Sequence, residues 1–156
     1  MQKGGYNIYF SASIAGGRED APIYSSLVAY LEEHHGTVLD KHVADPHLTI
    51  EGDGEIPPHE IYNQDLEWLL RSDVVVAEVT TVSHGVGFEL GYFVRHHRDD
   101  PTNRVLCLYR PTPGKILSAM FSGCPQALLA NYKTIEEAYR HIDAFFLSLP
   151  PQLQPK

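Results

Sequence analysis

Four apolar runs punctuate the chain, and amphipathic stretches alternate with them. NIYFSAS (7–13), TVLDKHVA (37–44), DVVVAEVT (73–80) and RVLCLYRP (104–111) have the length and the β-branched or aromatic content of buried strands, and QALLANYK (126–133) reads as a weaker fifth. Between them, APIYSSLVAYLEEHHG (21–36) sets Ile23, Leu27, Tyr30 and Leu31 at helical spacing, with Asp20 to cap it, Pro22 in its first turn and Gly36 at its end. HEIYNQDLEWLLRS (59–72), GVGFELGYFVRHH (85–97) and TIEEAYRHIDAFFLSL (134–149) read as further helices, the last opened by the capping-box spacing of Thr134 and Glu137.

This alternation predicts an α/β fold, a flavodoxin-like or Rossmann-like three-layer sandwich with a five-stranded parallel sheet. Residues 1–149 are expected to form one domain, with 150–156 (PPQLQPK) a disordered tail and the polar loop 45–58 a mobile or substrate-covering segment. Ligands of such sheets collect at the carboxyl ends of the strands, here the turns FSASIAGG, VTTVSHGVG and YRPTPG.

Composition narrows the function. A net charge of −8 leaves too few basic clusters for a nucleic-acid polymer. No apolar run approaches the roughly 20 residues of a membrane span, so a soluble intracellular protein is expected, cytoplasmic or also nuclear. Cys107 and Cys124 lack CxxC spacing and no HExxH occurs among the nine histidines, so reduced structural thiols, no metal and no cofactor are expected.

The candidate chemistry starts at SHGVGFELGY (83–92). Ser83, Gly85 and Gly87 open a helix, where free N–H groups and the helix dipole favour an anion such as a phosphate; glycines that merely permit close helix–sheet packing fit the same pattern. Glu89 lies about 6 Å further along that helix on the face of Gly85, a spacing that suits a nucleotide sugar. On a helical wheel Asp65 falls in the arc of Ile61, Tyr62, Leu66, Trp68 and Leu69, away from Glu60, Asn63, Gln64 and Glu67. An inward carboxylate must be paired, protonated or lining a pocket, so Asp65 is either a loop-capping or ion-paired structural acid or the partner of Glu89. Two acids with separated pKa values are the equipment of glycosidic cleavage. Tyr9 ends the first strand near the SASIAGG turn and reads as core or as a partner for a carboxylate or sugar; Arg18 is the cation of that turn and reads as a phosphate partner or a solvated side chain.

Taken in order, IYFSASIAGGRED, TVLDKHVA, NQDLEWLLRSDVVVAEVT, SHGVGFELG and LCLYRP-x-P-G-K-I-LSAM closely resemble the 2′-deoxynucleoside 5′-phosphate N-hydrolases of the nucleoside 2-deoxyribosyltransferase superfamily, from about Ile8 to Met120. The resemblance implies a homodimer that cleaves the base from a deoxynucleoside 5′-monophosphate. It implies Glu89 as nucleophile, Asp65 as acid/base and Tyr9 as the residue that orients the nucleophile. It implies a sugar and phosphate cradle of Ala12, Ser13, Ile14, Ala15, Gly16, Gly17 and Arg18 with Ser83 and Gly85, His42 on the base side, and Ser118 reaching the neighbouring subunit's phosphate. Ala15 stands where relatives often carry Arg, and Ala12 where glycine is common. A deoxyribosyltransferase, a ribonucleotide N-glycosidase and a non-catalytic nucleotide-binding module are the competing readings.

Overall fold

The computed structural model describes residues 5–49, 51–52 and 54–153. Strand β1 (Tyr6–Ser11) leads to α1 (Ala21–His34), β2 (Gly36–Val38), α2 (Pro58–Arg71), β3 (Val74–Glu78), α3 (His84–His96), β4 (Val105–Tyr109), the short α4 (Ala119–Ser122), β5 (Ala127–Asn131) and α5 (Ile135–Ser148). All five strands are parallel, in the order β2-β1-β3-β4-β5. That is the flavodoxin-like order, whose topological switch lies between β1 and β3. The three-layer α/β expectation therefore holds.

Side-chain alternation along the central strands sorts the two cores. Ile8 and Phe10 of β1, with Val74 and Val76 of β3, pack against Tyr24, Leu27 and Leu31 of α1 and Ile142 and Phe145 of α5. Tyr9, Val75 and Ala77 point the other way, onto Leu69 of α2 and Leu90 and Phe93 of α3. Everything at odd positions of β1 thus faces the α2–α3 layer, the layer that carries Asp65 and Glu89.

Three boundaries differ from the sequence expectation. The strand expected over 37–44 ends at Val38, and His42–Ala44 form a single 3₁₀ turn. Past that point the segment is held by other partners: the Arg18 guanidinium donates to Val43 O at 2.7 Å and Ser25 Oγ to Ala44 O at 2.6 Å. Gly36 opens β2 instead of closing α1, because β2 runs so near β1 that a Cβ there would meet the Tyr6 carbonyl oxygen at 2.1 Å. The turn-rich stretch after β4 contains α4, capped by Ser118, whose Oγ accepts from Met120 N at 3.2 Å.

Past α5, Pro151–Leu153 form a 3₁₀ turn and Leu153 packs against the α1–α5 core. Residues 154–156 of the expected tail, and Ile50 and Asp53 of the 45–58 loop, lie outside the described residues. No helix among the described residues is long and apolar enough to cross a membrane.

Phe10 is fully buried between α1 and the sheet, whereas Leu147 on α5 is 84% exposed. Phe10→Ala is expected to cost about 3–5 kcal/mol and Leu147→Ala less than about 0.5 kcal/mol, read as the difference in midpoint of urea unfolding at constant slope.

Candidate active site

The site is assembled where β1, β2, α2 and α3 meet at the carboxyl edge of the sheet. Strand β1 contributes Tyr9 and, two residues on and therefore on the same face, Ser11. Helix α3 is fixed at its start by Ser83, whose Oγ accepts from Val86 N at 3.4 Å, and Glu89 emerges one and a half turns later. Ser11 Oγ donates a short hydrogen bond to Glu89 Oε2, and the Tyr9 hydroxyl is a second hydrogen-bond partner of the same carboxylate. Burial pushes the Glu89 carboxyl up from 4.5 to about 7; the Ser11 and Tyr9 hydroxyls oppose that rise, and the charges of Asp40 and Asp65 add to it. The Tyr9 hydroxyl is raised far above its ordinary range, first by burial and then by the charge of Glu89.

Asp65, on α2, faces this group. Its wheel position is borne out in part: Leu66, Trp68 and Leu69 pack against the α2–α3 core, but Tyr62 is 48% exposed and meets the Phe88 ring of α3 at 6.1 Å. Asp65 itself is half-buried, a carboxylate at the mouth and not in the core. Asp40, Asp65 and His42 each bring one polar atom to within 4.8 Å of the others'. This set has the composition of a cation site. However, His42 Nδ1 lies 2.5 Å from Asp40 Oδ1, closer than the roughly 3 Å between neighbouring ligands of an octahedral cation, which marks a direct carboxylate–imidazole contact.

Sequence reasoning missed Asp40 and Ser11. Asp40 follows β2 and is only 4% exposed. Its one signal was an acid inside the strand-like run TVLDKHVA. Ser11 was recoverable from Tyr9, since alternation puts residues 9 and 11 on one face. A further buried acid, Glu78, belongs elsewhere: it lies at an even position of β3, bonds Thr80 and the Tyr132 hydroxyl (2.9 Å), and burial raises its pKa.

The expected phosphate turns come together. Gly16 packs so tightly on the backbone before Ser83 that a Cβ would sit 2.0 Å from Val82 O and 2.7 Å from Ser13 Oγ. Ser13 is wholly buried, and its Oγ has no hydrogen-bond partner among the described residues. Ala12 is buried, Ile14 partly so, Ala15 is exposed, and Gly17 takes φ +138°, a conformation open to glycine. Arg18 is occupied differently from the sequence expectation of a phosphate partner or a solvated chain: it donates to the carbonyls of Ser13 (3.2 Å), Val43 (2.7 Å), Asp45 (2.8 Å) and Leu48 (3.2 Å), clasping the 43–48 segment over the turn.

Ser83 and Ser118 line a largely apolar groove of about 650 Å³ with Gly87, Leu90, Ile116 and Met120. Glu89, Asp65 and Tyr9 are not among its walls. Ile116 and Met120 are 85% and 81% exposed.

Residues 8–116 match the family model described as nucleoside 2-deoxyribosyltransferase, and the chain belongs to that family. Among known proteins it is 41% identical to the 5-hydroxymethyl-dUMP N-hydrolase of Danio rerio over 146 residues, 92% of this chain and 97% of that one. It is 42% identical to the 5-hydroxymethyl-dUMP N-hydrolase of Homo sapiens over 147 residues, covering 92% of this chain and 81% of the relative. The protein of that name from Esox lucius is 41% identical over 133 residues, 84% and 88% of the two chains.

A carboxyl raised to about 7 in the folded protein from 4.5 binds more protons folded than unfolded between those values, so its ionisation lowers stability as pH rises through that window. Glu89→Gln is therefore expected to unfold at higher urea than the wild type at pH 8, by on the order of 2–3 kcal/mol, with the gain fading as pH falls from about 7 and gone by about pH 4.5.

Proposed function

We propose that the protein hydrolyses the N-glycosidic bond of 2′-deoxynucleoside 5′-monophosphates, releasing the free base and 2-deoxyribose 5-phosphate. The observation that carries this is the Glu89 carboxylate, held by the Ser11 and Tyr9 hydroxyls in a partly desolvated site beside Asp65. Relatives that align with 92% of the chain are named N-hydrolases of a deoxynucleoside monophosphate, which supports the same bond and substrate class.

In this reading the ionised Glu89 attacks C1′. The C1′–N bond breaks, its electron pair leaves with the base, and Asp65 in its acid form gives the base a proton. The resulting 5-phospho-2-deoxyribosyl ester is cleaved by water, whose proton returns to Asp65 while its hydroxyl oxygen bonds C1′ and frees Glu89. Tyr9 and Ser11 fix the nucleophile's oxygens. The phosphate lies over the junction of the Ser13–Gly17 turn and the Ser83–Gly85 helix start, where backbone N–H groups and the dipole of α3 suit an anion. His42 lines the base side. A second copy of the chain supplies Ser118 to that phosphate, and the exposed Ile116 and Met120 give the groove an apolar surface to bury in such a dimer.

A second reading is favoured by the family description itself: the same glycosyl ester handed to another base is deoxyribosyl transfer. The decisive experiment incubates the protein with each deoxynucleoside monophosphate, its nucleoside and its ribonucleotide, with and without an acceptor base, and separates products by chromatography. Base and 2-deoxyribose 5-phosphate from 5′-phosphorylated deoxy substrates are expected; a new nucleotide in place of the sugar phosphate would assign transfer.

Glu89→Ala and Asp65→Asn are each expected to lower kcat by roughly 10³-fold or more, and wild-type kcat/KM is expected to rise with pH through about 7 as Glu89 ionises. Ser118→Ala is expected to raise KM for the monophosphate with kcat nearly kept. Mixed with Glu89→Ala protein after subunit exchange, the heterodimer pairs an intact Glu89 with the other chain's intact Ser118, so KM should return to the wild-type value, whereas a KM that stays raised would place Ser118 outside the neighbouring site.

A further inference from the structure

Three acids of the described residues, Glu89, Asp65 and Asp40, meet in one corner, and the mechanism above uses two of them. The third is the most buried: Asp40 is 4% exposed, while Asp65 and Glu89 are half-buried. A carboxylate so placed is costly unless something opposes its charge. What lies against it is the imidazole of His42, whose Nδ1 stands 2.5 Å from Asp40 Oδ1. The backbone makes this contact possible, because the chain leaves β2 at Val38 and turns through His42–Ala44, and Arg18 pins that turn through the Val43 and Asp45 carbonyls. Residues 40 and 42 are thereby brought to one side, with the Trp68 ring 6.2 Å from that of His42 and Asp65 across from it.

We propose that Asp40 is a positioning residue of the leaving-base side: its carboxylate, lying against His42 Nδ1, favours the proton on that nitrogen and turns the imidazole edge toward the departing base, next to Asp65. This rests on the reading of Glu89 and Asp65 as the reacting pair. The physical logic is that of an imidazole oriented by a buried carboxylate, where the partner of one ring nitrogen sets the tautomer presented by the other. Asp40 has a second effect through space, since its charge disfavours ionisation of Glu89, ahead of Asp65 in size. The titratable and charged groups facing Glu89 are Tyr9 from β1, Asp40 from the end of β2 and Asp65 from α2, and those facing Asp40 are His42, Asp65, Glu89 and Tyr9.

The test is steady-state hydrolysis of a deoxynucleoside monophosphate by wild type, Asp40→Asn, His42→Gln and the double variant, each as a function of pH. Asp40→Asn is expected to lower kcat roughly 10- to 100-fold with KM changed less than about threefold, the scale of a misplaced group. His42→Gln should give a similar loss, and the double variant should be no slower than His42→Gln alone. The rise of kcat/KM should move to lower pH in Asp40→Asn, because a negative charge beside Glu89 has been removed; a purely structural Asp40 would not move it. Wild-type kcat and an unmoved pH profile in Asp40→Asn would overturn the proposal, as would losses that multiply in the double variant. If Asp40→Asn fails to fold, His42→Gln decides alone, and wild-type kcat there overturns the proposal too. A wild-type protein that releases no base from any monophosphate would overturn the underlying reading and this inference with it, an outcome distinct from an active wild type with an indifferent Asp40.

Discussion

The alternation of side chains along β1 is the constraint on which the rest of the molecule turns. This strand pairs with β2 on one side and β3 on the other. Its even positions, Ile8 and Phe10, fill the α1–α5 core. Its odd positions, Tyr9 and Ser11, face α2 and α3 and end at the carboxyl edge, where both hydroxyls reach Glu89. A shift of one residue in register would exchange the two sets, placing Phe10 where the carboxylate is held and hydroxyls in an apolar core. Fold and site therefore share one requirement, and the hydrophobic pattern that fixes the sheet also fixes which way the hydroxyl partners of Glu89 point.

Electrostatics then govern what the corner can do. Acids from three separate elements converge, and burial raises Glu89 to about 7. The hydroxyls of Tyr9 and Ser11 keep the ionised form accessible, while Asp40 and Asp65 oppose it. Asp40 meets the His42 imidazole at Nδ1. Arg18, the cation of the first turn, contributes in another way: its donors go to carbonyls of the 43–48 segment, so it supports the site by holding the chain on which His42 sits. With Ala15 exposed and carrying no charge, what this turn offers an anion is backbone N–H groups and the start of α3.

The family to which the chain belongs and its N-hydrolase relatives agree with the resemblance carried by the ordered motifs from Ile8 to Met120. The motifs mattered because each marks a strand end or helix start, the places where an open parallel sheet keeps its ligands. Where the chain departs from regular periodicity the reading was weaker. The run TVLDKHVA looks like a strand by composition, but only its first residues pair with β1, and side chains distant in sequence, Arg18 and Ser25, take the carbonyls of Val43 and Ala44. Tyr62 matched the inward arc of α2 and is nonetheless exposed, since a helical wheel ranks directions without knowing how far the neighbouring helix extends.

By itself the sequence determined the order of elements, the parallel sheet, the helix that carries Glu89 and the inward bias of Asp65, because these follow from periods of 2 and 3.6 that any window of the chain displays. Only the tertiary structure decided that Ser11 bonds Glu89, that Arg18 serves the 43–48 segment, and that Asp40 pairs with His42 beside Asp65. Those contacts join β1 to α3, the first turn to the segment after β2, and that segment to α2. No local pattern records such meetings; they are set by which strand ends the sheet order places side by side.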